Sequence, residues 1–323
     1  EALQKLQDGS DPDHYANTNW LDAVMRNAPM HQHHLSVTGG NKDTKFMASV
    51  SFVDQKGIMI ETGVKRISFR SNLDTKYKRF TFGLNVSGNK NALKTPGMDT
   101  TGDGGVLRRV GWFTRPTVPL MYSNGHYGYI DGSITDAELV KNPLESMRSG
   151  YRLNDSWRFN GKAFAAMDII DGLQFRTSFA YAFYLNATKR YAPGNMHKYT
   201  PEGTIAKRGV PTNSLSDYYY RDYTWTNENL LTYNKRFGDH SISALLGHSL
   251  IGYTTYNTTA SKQGFPTDNI YELGGGTSTP GANGNSNAFR LQSFFGRIQY
   301  NYADRYMAEV NVRRDGSSRM PST

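Results

Sequence analysis

The stretch Phe80-Thr81-Phe82-Gly83-Leu84-Asn85-Val86-Ser87 alternates between apolar and polar or small residues at every position. Successive side chains of a β-strand point to opposite faces of the sheet, so this stretch has one apolar face and one polar face. An amphipathic helix would instead need apolar residues at spacings of three and four. The stretch therefore predicts a β-strand whose two faces meet different surroundings.

The same period of two recurs in about ten segments along the chain, which predicts an all-β protein. Clear examples are the segments 46–52, 67–74, 175–183 and 306–313. Their apolar faces carry Phe, Leu, Ile, Val, Ala and Tyr, whereas Ser, Asn, Arg, Asp and Glu dominate the opposite faces. Small and hydrated groups of this kind suit a wet interior, so we expect the apolar faces to point outward.

The connections between these segments alternate in length. Five are short, at 39–43, 75–79, 168–172, 235–239 and 302–305, and four are longer, at 54–63, 89–156, 186–218 and 252–288. Short turns at one rim and long loops at the other are typical of an antiparallel transmembrane β-barrel, with the short side periplasmic. The fold prediction is therefore an all-β outer-membrane barrel with long extracellular loops and short periplasmic turns.

The composition agrees with this class. The 323 residues include 37% hydrophobic and 13% aromatic residues, and no run of about 18 apolar residues would form a transmembrane helix. A transmembrane strand needs only about 10 residues with every second one apolar, so mean hydropathy can stay low. Aromatic residues also gather near strand ends, where amphipathic rings can lie at the level of the lipid headgroups. These are Phe80, Phe175, Tyr181, Phe183, Tyr300, Tyr302 and Tyr306.

Charge and cysteine usage exclude several other functions. The chain has no Cys, which excludes a disulfide scaffold, an Fe–S cluster and thiol catalysis. The net charge of +9 is dispersed in single residues and short doublets, so we expect basic loops and a polar lumen and no nucleic-acid partner.

About ten strands would leave two unpaired sheet edges. Long loops and Arg-rich polar faces favour a barrel wider than ten strands, and an unpaired strand edge is not tolerated in lipid. The first residues also lack the basic and apolar regions of a signal peptide, so either the protein is not exported or the chain does not begin where the gene product does. We therefore expect the chain to be a piece of a longer protein.

Three histidines, His31, His33 and His34, lie within four positions. In a strand, His31 and His33 share one face and His34 points to the other. A zinc site would need a third ligand from elsewhere, and no spaced Cys or carboxylate motif supplies one. We therefore interpret this stretch as the polar beginning of a strand and expect no metal.

Several ordered blocks resemble the barrel of SusC/RagA-type TonB-dependent transporters. The early-barrel blocks are Asn17-Thr18-Asn19-Trp20, Asn27-Ala28-Pro29, the segment 33–40 and the segment 51–58, followed by 66–74. The stretch Val312-Arg313-Arg314-Asp315-Gly316-Ser317-Ser318-Arg319 resembles the mid-barrel signature of the family, and Gly264-Phe265-Pro266-Thr267-Asp268 resembles a family loop. The blocks span nearly the whole chain in the family's order.

This resemblance implies a 22-stranded barrel with a plugged lumen in the outer membrane of a Gram-negative, Bacteroidota-like bacterium. Residues 1–30 would be a loop segment that leads into the strands. Residues 31–323 would be the N-terminal half of the barrel, without the plug and the C-terminal half. The implied function is energy-dependent import of a glycan or oligopeptide. The implied partners are a SusD-like surface lipoprotein, outer-membrane lipid and, through the missing N-terminal part, the TonB–ExbB–ExbD complex.

No catalytic constellation stands out, so we expect neither an enzyme nor a cofactor. Aromatic side chains in the long loops are the candidate substrate contacts, because their faces stack on sugar rings while nearby Asn, Asp and Arg bond hydroxyl groups. The candidates are Tyr122, His126, Tyr127, Tyr129, Tyr218, Tyr219, Tyr220 and Trp225. The alternative interpretation of these aromatics is loop packing or an interfacial girdle.

Two other functions remain open at this stage. A soluble secreted β-protein that binds glycans would need a polar exterior and an apolar interior. A passive porin would share the barrel but lack a plug.

Overall fold

A computed structural model describes residues 2–96, 110, 114–129, 142–194, 198–207, 213–267 and 270–320. Within these ranges one continuous ten-stranded sheet dominates. Its strands are β1 (Met30–Gly40), β2 (Thr44–Lys56), β3 (Gly63–Tyr77), β4 (Phe80–Pro96), β5 (Tyr151–Ile170), β6 (Leu173–Ala192), β9 (Ser214–Phe237), β10 (His240–Gln263), β11 (Gly281–Tyr302) and β12 (Tyr306–Ser317). A separate small hairpin contains β7 (Lys198–Tyr199) and β8 (Ile205–Lys207). The helices are α1 (Ala2–Asp8), α2 (Trp20–Val24) and α3 (Pro143–Ser149).

The large sheet is an antiparallel meander. Each strand from β2 to β11 of this sheet is hydrogen-bonded to a neighbour on both sides, and β6 pairs directly with β9, because the β7–β8 hairpin lies outside the sheet. The prediction of an all-β antiparallel fold with about ten strands is confirmed. None of the described helices is long and apolar enough to cross a bilayer.

The short connections lie where the sequence predicts them. Only residues 78–79, 171–172 and 238–239 separate the strands at three of these turns. Gly172 and Gly238 adopt φ values of 84° and 56°, a region that glycine enters at no steric cost. We call the end of the strands where these turns lie the short-turn end, and the opposite end of the strands the long-loop end.

The strands extend further toward the long-loop end than the hydropathy pattern predicts. β4 continues to Pro96, β5 begins at Tyr151, and β9 and β10 are 24 residues long each. About 10 residues suffice to cross a bilayer. Beyond that depth both faces meet water, so apolar alternation fades while the hydrogen-bonded ladder continues.

The register joins the predicted apolar positions into rows that cross the sheet. Val50 lies opposite Leu35 on one side and Phe69 on the other. The same row continues to Phe159 and Phe183, which are directly paired. Directly paired residues of an antiparallel sheet point to the same face. One face of the sheet is therefore apolar throughout its middle, which confirms the predicted alternation, and we call the two sides the apolar face and the polar face.

Two small clusters of buried side chains lie at the long-loop end. The first joins Trp20 and Val24 of α2 to Leu144 and Met147 of α3 and to Met59. The second consists of Tyr191, Leu215 and Phe265. The predicted loop segment 1–30 thus contains two helices and supplies part of the first cluster.

Candidate functional site

The polar face of β3–β6 and β9 forms a continuous hydrophilic surface, which we call the polar wall. Its members are Arg66, Arg70, Asn72, Asn85, Ser87, Asn89, Asn91, Ser156, Arg158, Asn160, Lys162, Arg176, Tyr184, Tyr220, Thr224, Thr226 and Glu228. Hydrogen bonds cross from strand to strand along it. Arg66 Nε donates to Asn91 Oδ1 at 2.6 Å, and Asn91 Nδ2 donates to Ser156 Oγ at 3.4 Å. These contacts link the side chains of β3, β4 and β5 across the polar face.

Two shallow depressions lie next to each other in the polar wall. The larger has a volume of about 410 Å³ and is lined by Arg70, Asn72, Asn85, Asn160 and Lys162, among others. The smaller, of about 270 Å³, shares Arg70 and Asn160 with it. Amides, hydroxyls and cations in one concavity can bond the hydroxyl or carboxylate groups of a polar ligand.

A cluster of one cation and two aromatic rings lies beside these depressions. The guanidinium carbon of Arg158 is 5.0 Å from the centroid of the Tyr184 ring, and the rings of Tyr184 and Tyr220 are 6.0 Å apart. Arginine over an aromatic face is a favourable electrostatic contact. We call these three residues the aromatic cluster, and it offers a stacking surface to a ring or a planar group.

The structure separates the four candidates on β9 into two pairs. Tyr218 and Tyr220 belong to the polar face, whereas Tyr219 and Trp225 belong to the apolar face. Trp225 covers Gly252, since a Cβ on that glycine would lie 2.3 Å from the indole. Only the first pair is directed toward the concavity.

Sequence reasoning missed two members of the aromatic cluster, Arg158 and Tyr184. The alternation of apolar and polar positions in β6 could have identified Tyr184. Tyr184 directly follows Phe183 in an apolar series, so it has to occupy the polar face.

The four loop candidates make contacts that hold the loops together. Tyr122 is 7% exposed, and its hydroxyl oxygen accepts a hydrogen bond from the Tyr129 N–H at 2.9 Å. The His126 ring stacks on Tyr199 with centroids 3.7 Å apart. Tyr127 packs against the cluster around Trp20.

These loops combine with the N-terminal segment into one unit, which we call the loop layer. It contains residues 11–29, 57–62, 114–129, 142–150 and 198–207. Trp20 Nε1 donates to Arg115 O at 3.0 Å, Ser123 Oγ donates to Asp13 Oδ2 at 2.5 Å, and Asn124 Nδ2 donates to Pro201 O at 2.9 Å. The loop layer is therefore a packed structure at the long-loop end of the polar wall.

His14 connects two parts of the loop layer. Its Nδ1 is 2.9 Å from Asp11 Oδ1, and its Nε2 is 3.1 Å from Glu202 Oε1. The hydrogen bond to Asp11, followed by that to Glu202, raises the pKa of His14 above its ordinary value of 6.5. The protonated ring can donate to both carboxylates at once, whereas a neutral imidazole donates only one hydrogen bond.

The side chains of His31, His33 and His34 alternate between the two faces of β1, as predicted for an extended strand. His31 and His33 lie on the apolar face of β1, and His34 lies on the polar face. Across the ranges that the structure describes, no group of three or more His, Asp or Glu side chains is arranged to hold a metal ion.

Sequence comparison places these features among TonB-dependent receptors. The chain is 31% identical over 313 residues to TonB-dependent receptor P3 of Formosa agariphila, a match that covers 94% of this chain and 30% of that protein. It is 22% identical over 323 residues to TonB-dependent receptor SusC of Bacteroides thetaiotaomicron, with coverage of 94% and 30%. The chain thus spans about 30% of the length of these relatives. No protein-family model matches it.

Solved structures show the same fold. The RagAB peptide importer in its closed-closed state superposes with a TM-score of 0.74 at 24% identity, over 96% of this chain and 34% of that chain. The ferripyoverdine receptor of Pseudomonas aeruginosa superposes with a TM-score of 0.53 at 13% identity, over 89% and 35%. At these identities the likeness concerns the fold alone.

A long antiparallel meander with an apolar outer face, a polar concave face and short turns at one end defines an outer-membrane β-barrel. Within that class, the chain corresponds to a barrel segment of a SusC/RagA-type TonB-dependent transporter. Its place is the outer membrane, with the short-turn end periplasmic and the loop layer extracellular. The relatives are receptors and importers, not enzymes.

Proposed function

We propose that this chain forms part of the wall of an importer that moves a nutrient, a glycan or an oligopeptide, across the outer membrane. The observation that carries the proposal is the match over 94% of the chain to a TonB-dependent receptor. The polar wall supports it, because amide, hydroxyl and cationic groups line the concave side along the transport direction.

The mechanism is gated import without covalent change to the substrate. A SusD-like lipoprotein above the loop layer delivers the substrate, which then contacts the polar wall. The TonB–ExbB–ExbD complex pulls on a plug inside the barrel to open a path. Tyr218, Tyr220 and the aromatic cluster are the substrate contacts that the geometry favours. The loop candidates Tyr122, His126, Tyr127 and Tyr129 contribute by shaping the entrance.

The test is uptake by the full-length receptor in cells with and without functional TonB. Import should stop without TonB, and deletion of the plug should produce leakage that does not depend on substrate. Uptake that persists without TonB would instead identify a passive porin. Purified protein that stays soluble without detergent would favour a secreted glycan-binding protein.

A further inference from the structure

One row of directly paired residues on the apolar face carries two cations. Lys90 of β4 lies opposite Trp157 of β5, which lies opposite Leu185 of β6. Leu185 also lies opposite Arg221 of β9, and Arg221 lies opposite Tyr256 of β10. Directly paired residues point to the same face, so these five side chains form one line across the outside of the sheet. We call them the boundary row.

The boundary row lies at the extracellular edge of the apolar belt. The next row toward the short-turn end contains Phe159 and Phe183. Leu185 is about 12 residues from Leu173, which at ~3.3 Å per residue and a strand tilt of about 40° corresponds to roughly 30 Å along the membrane normal. The apolar band of a transmembrane barrel is about 25 Å tall. Since Leu173 lies at the periplasmic end of β6, the boundary row lies at the level of the outer-leaflet headgroups.

Both cations of the boundary row lie over aromatic rings. Lys90 Nζ is 4.8 Å from the centroid of the Trp157 ring, and the guanidinium carbon of Arg221 is 4.8 Å from the centroid of the Tyr256 ring. Within the described part of the chain, no carboxylate forms an ion pair with either cation, and this includes Asp155 of the adjacent row. An aromatic ring orients a cation without neutralising its charge.

Two lysines of the same face that lie further toward the long-loop end do have acidic partners. Lys65 Nζ is 3.6 Å from Asp54 Oδ2, and Lys94 Nζ is 2.7 Å from Glu61 Oε2. Beyond the boundary row this face meets water, and the lysines there are paired within the chain. The charges of the boundary row, at the depth of the headgroups, are left for a ligand.

The outward face of these strands is complete in this chain. Each of the strands β4, β5, β6, β9 and β10 has a hydrogen-bonded neighbour on both sides, so further barrel strands join only at β1 and β12. A plug would contact the polar face, inside the barrel. The partners of Lys90 and Arg221 therefore come from the surroundings of the barrel, which at this depth are lipid headgroups.

We propose that the boundary row binds a phosphorylated lipid of the outer leaflet, with phosphate groups at Lys90 and Arg221. The two cations are separated by roughly 14 Å, three steps of ~4.8 Å between strands, so each holds its own phosphate. Arginine and lysine form strong charge-assisted hydrogen bonds with phosphate oxygens. The acyl chains lie against Phe159, Phe183 and Leu185. This inference concerns the outside of the barrel and does not depend on what the protein imports.

The test uses the full-length receptor, purified in detergent, and native mass spectrometry with two probes. These are diphosphoryl lipid A and the same glycolipid after removal of both phosphates. We expect the phosphorylated probe to bind about tenfold more tightly, and the Lys90→Gln/Arg221→Gln double variant to lose about tenfold in affinity for it. The matched control Lys65→Gln/Lys94→Gln removes two lysines that already have acidic partners and should bind as the unmodified receptor does.

A second double variant, Lys90→Arg/Arg221→Lys, separates charge from folding. It keeps both positive charges and should retain the binding of diphosphoryl lipid A. Equal losses in this variant and in the glutamine variant would overturn the proposal, as would equal binding of the two probes or an unchanged affinity of the glutamine variant.

Two further outcomes would assign the boundary row to a different occupant. Displacement of the lipid by excess inorganic phosphate would identify a site for free anions. A change in the oligomeric state of the glutamine variant, with unchanged lipid binding, would mean that the row contacts a second barrel. Either result would reject the lipid site.

Discussion

The ammonium of Lys198 lies 2.5 Å from Glu145 Oε2, and only 20% and 10% of these two side chains are exposed. The pair joins hairpin strand β7 to helix α3 across 53 residues of sequence. If the cationic partner of a buried carboxylate is removed, the carboxylate still carries the free-energy cost of desolvation but loses the attraction that offset it.

Lys198→Met should therefore destabilise the loop layer by about 3 kcal/mol. The measurement is hydrogen exchange in residues 142–150 and 198–207 of the full-length receptor. Lys94→Met is the matched control, because Lys94 and Glu61 form a 2.7 Å pair with half-exposed side chains that contributes about 0–1 kcal/mol. Equal hydrogen exchange in both variants would show that the Lys198–Glu145 pair stabilises the loop layer no more than the exposed Lys94–Glu61 pair does.

The stability that the hydrogen bonds of His14 to Asp11 and Glu202 give to the loop layer should depend on pH. The pKa of His14 is raised in the folded layer, so its stabilising contribution is complete below the ordinary value of 6.5 and is lost as the pH rises through the raised pKa. The pKa values of Asp11 and Glu202 are lowered, so their contribution is lost only as the pH falls through those lowered values.

Protection of residues 11–15 from hydrogen exchange should therefore be greatest at mildly acidic pH and decrease toward pH ~8, after correction for the intrinsic exchange rate. His14→Gln should remove this pH dependence, since an amide does not titrate in that range. A dependence that survives the substitution would show that another group controls this contact.

Gly252 should tolerate no side chain beneath Trp225. A Cβ there would lie 2.3 Å from the indole, and displacing the ring should cost about 1–3 kcal/mol. Gly252→Ala should therefore lower the thermal unfolding temperature of the barrel. Gly296→Ala, on the same face, brings the new Cβ no closer than 3.5 Å to its neighbours and should leave that temperature unchanged.

Acyl-chain probes should distinguish the two faces of the sheet. These 323 residues contain no Cys, so a single cysteine introduced among them is the one thiol in this part of the protein. Cysteines at Val50, Phe179 and Val310 should react with a lipid-soluble reagent, whereas cysteines at Ser49, Arg176 and Asn311 should react with a water-soluble one. The reverse pattern would mean that the apolar face is the interior.

The aromatic cluster should affect uptake because its side chains lie on the polar face of the sheet. Tyr220→Ala and Tyr184→Ala should each reduce substrate uptake several-fold, because each removes a stacking surface at the polar wall. Tyr219→Ala changes the adjacent residue on the outward face, where 52% of the side chain is exposed, and should have little effect. The readout is the initial uptake rate at equal receptor abundance, and equal losses in all three variants would reject this assignment.

Much of the barrel could be predicted because its signals are local. The alternation at 80–87 and the short turns at 78–79 and 238–239 depend on neighbouring residues only. The strand ends near Pro96 and Tyr151 could not be predicted, because alternation vanishes where both faces meet water. The two clusters of buried side chains also escaped prediction, since they join segments that are distant from one another in the sequence.

By itself the sequence determined the strands, their two faces and the alternation of short and long connections. These follow from a period of two and from turn chemistry, both of which are properties of adjacent residues. Only the tertiary structure decided which aromatics meet at the polar wall, which cations lie over aromatic rings, and how His14 and Lys198 hold the loop layer together. Such relationships depend on register and packing between strands and loops distant in sequence, where one residue of slip would turn every side chain to the opposite face.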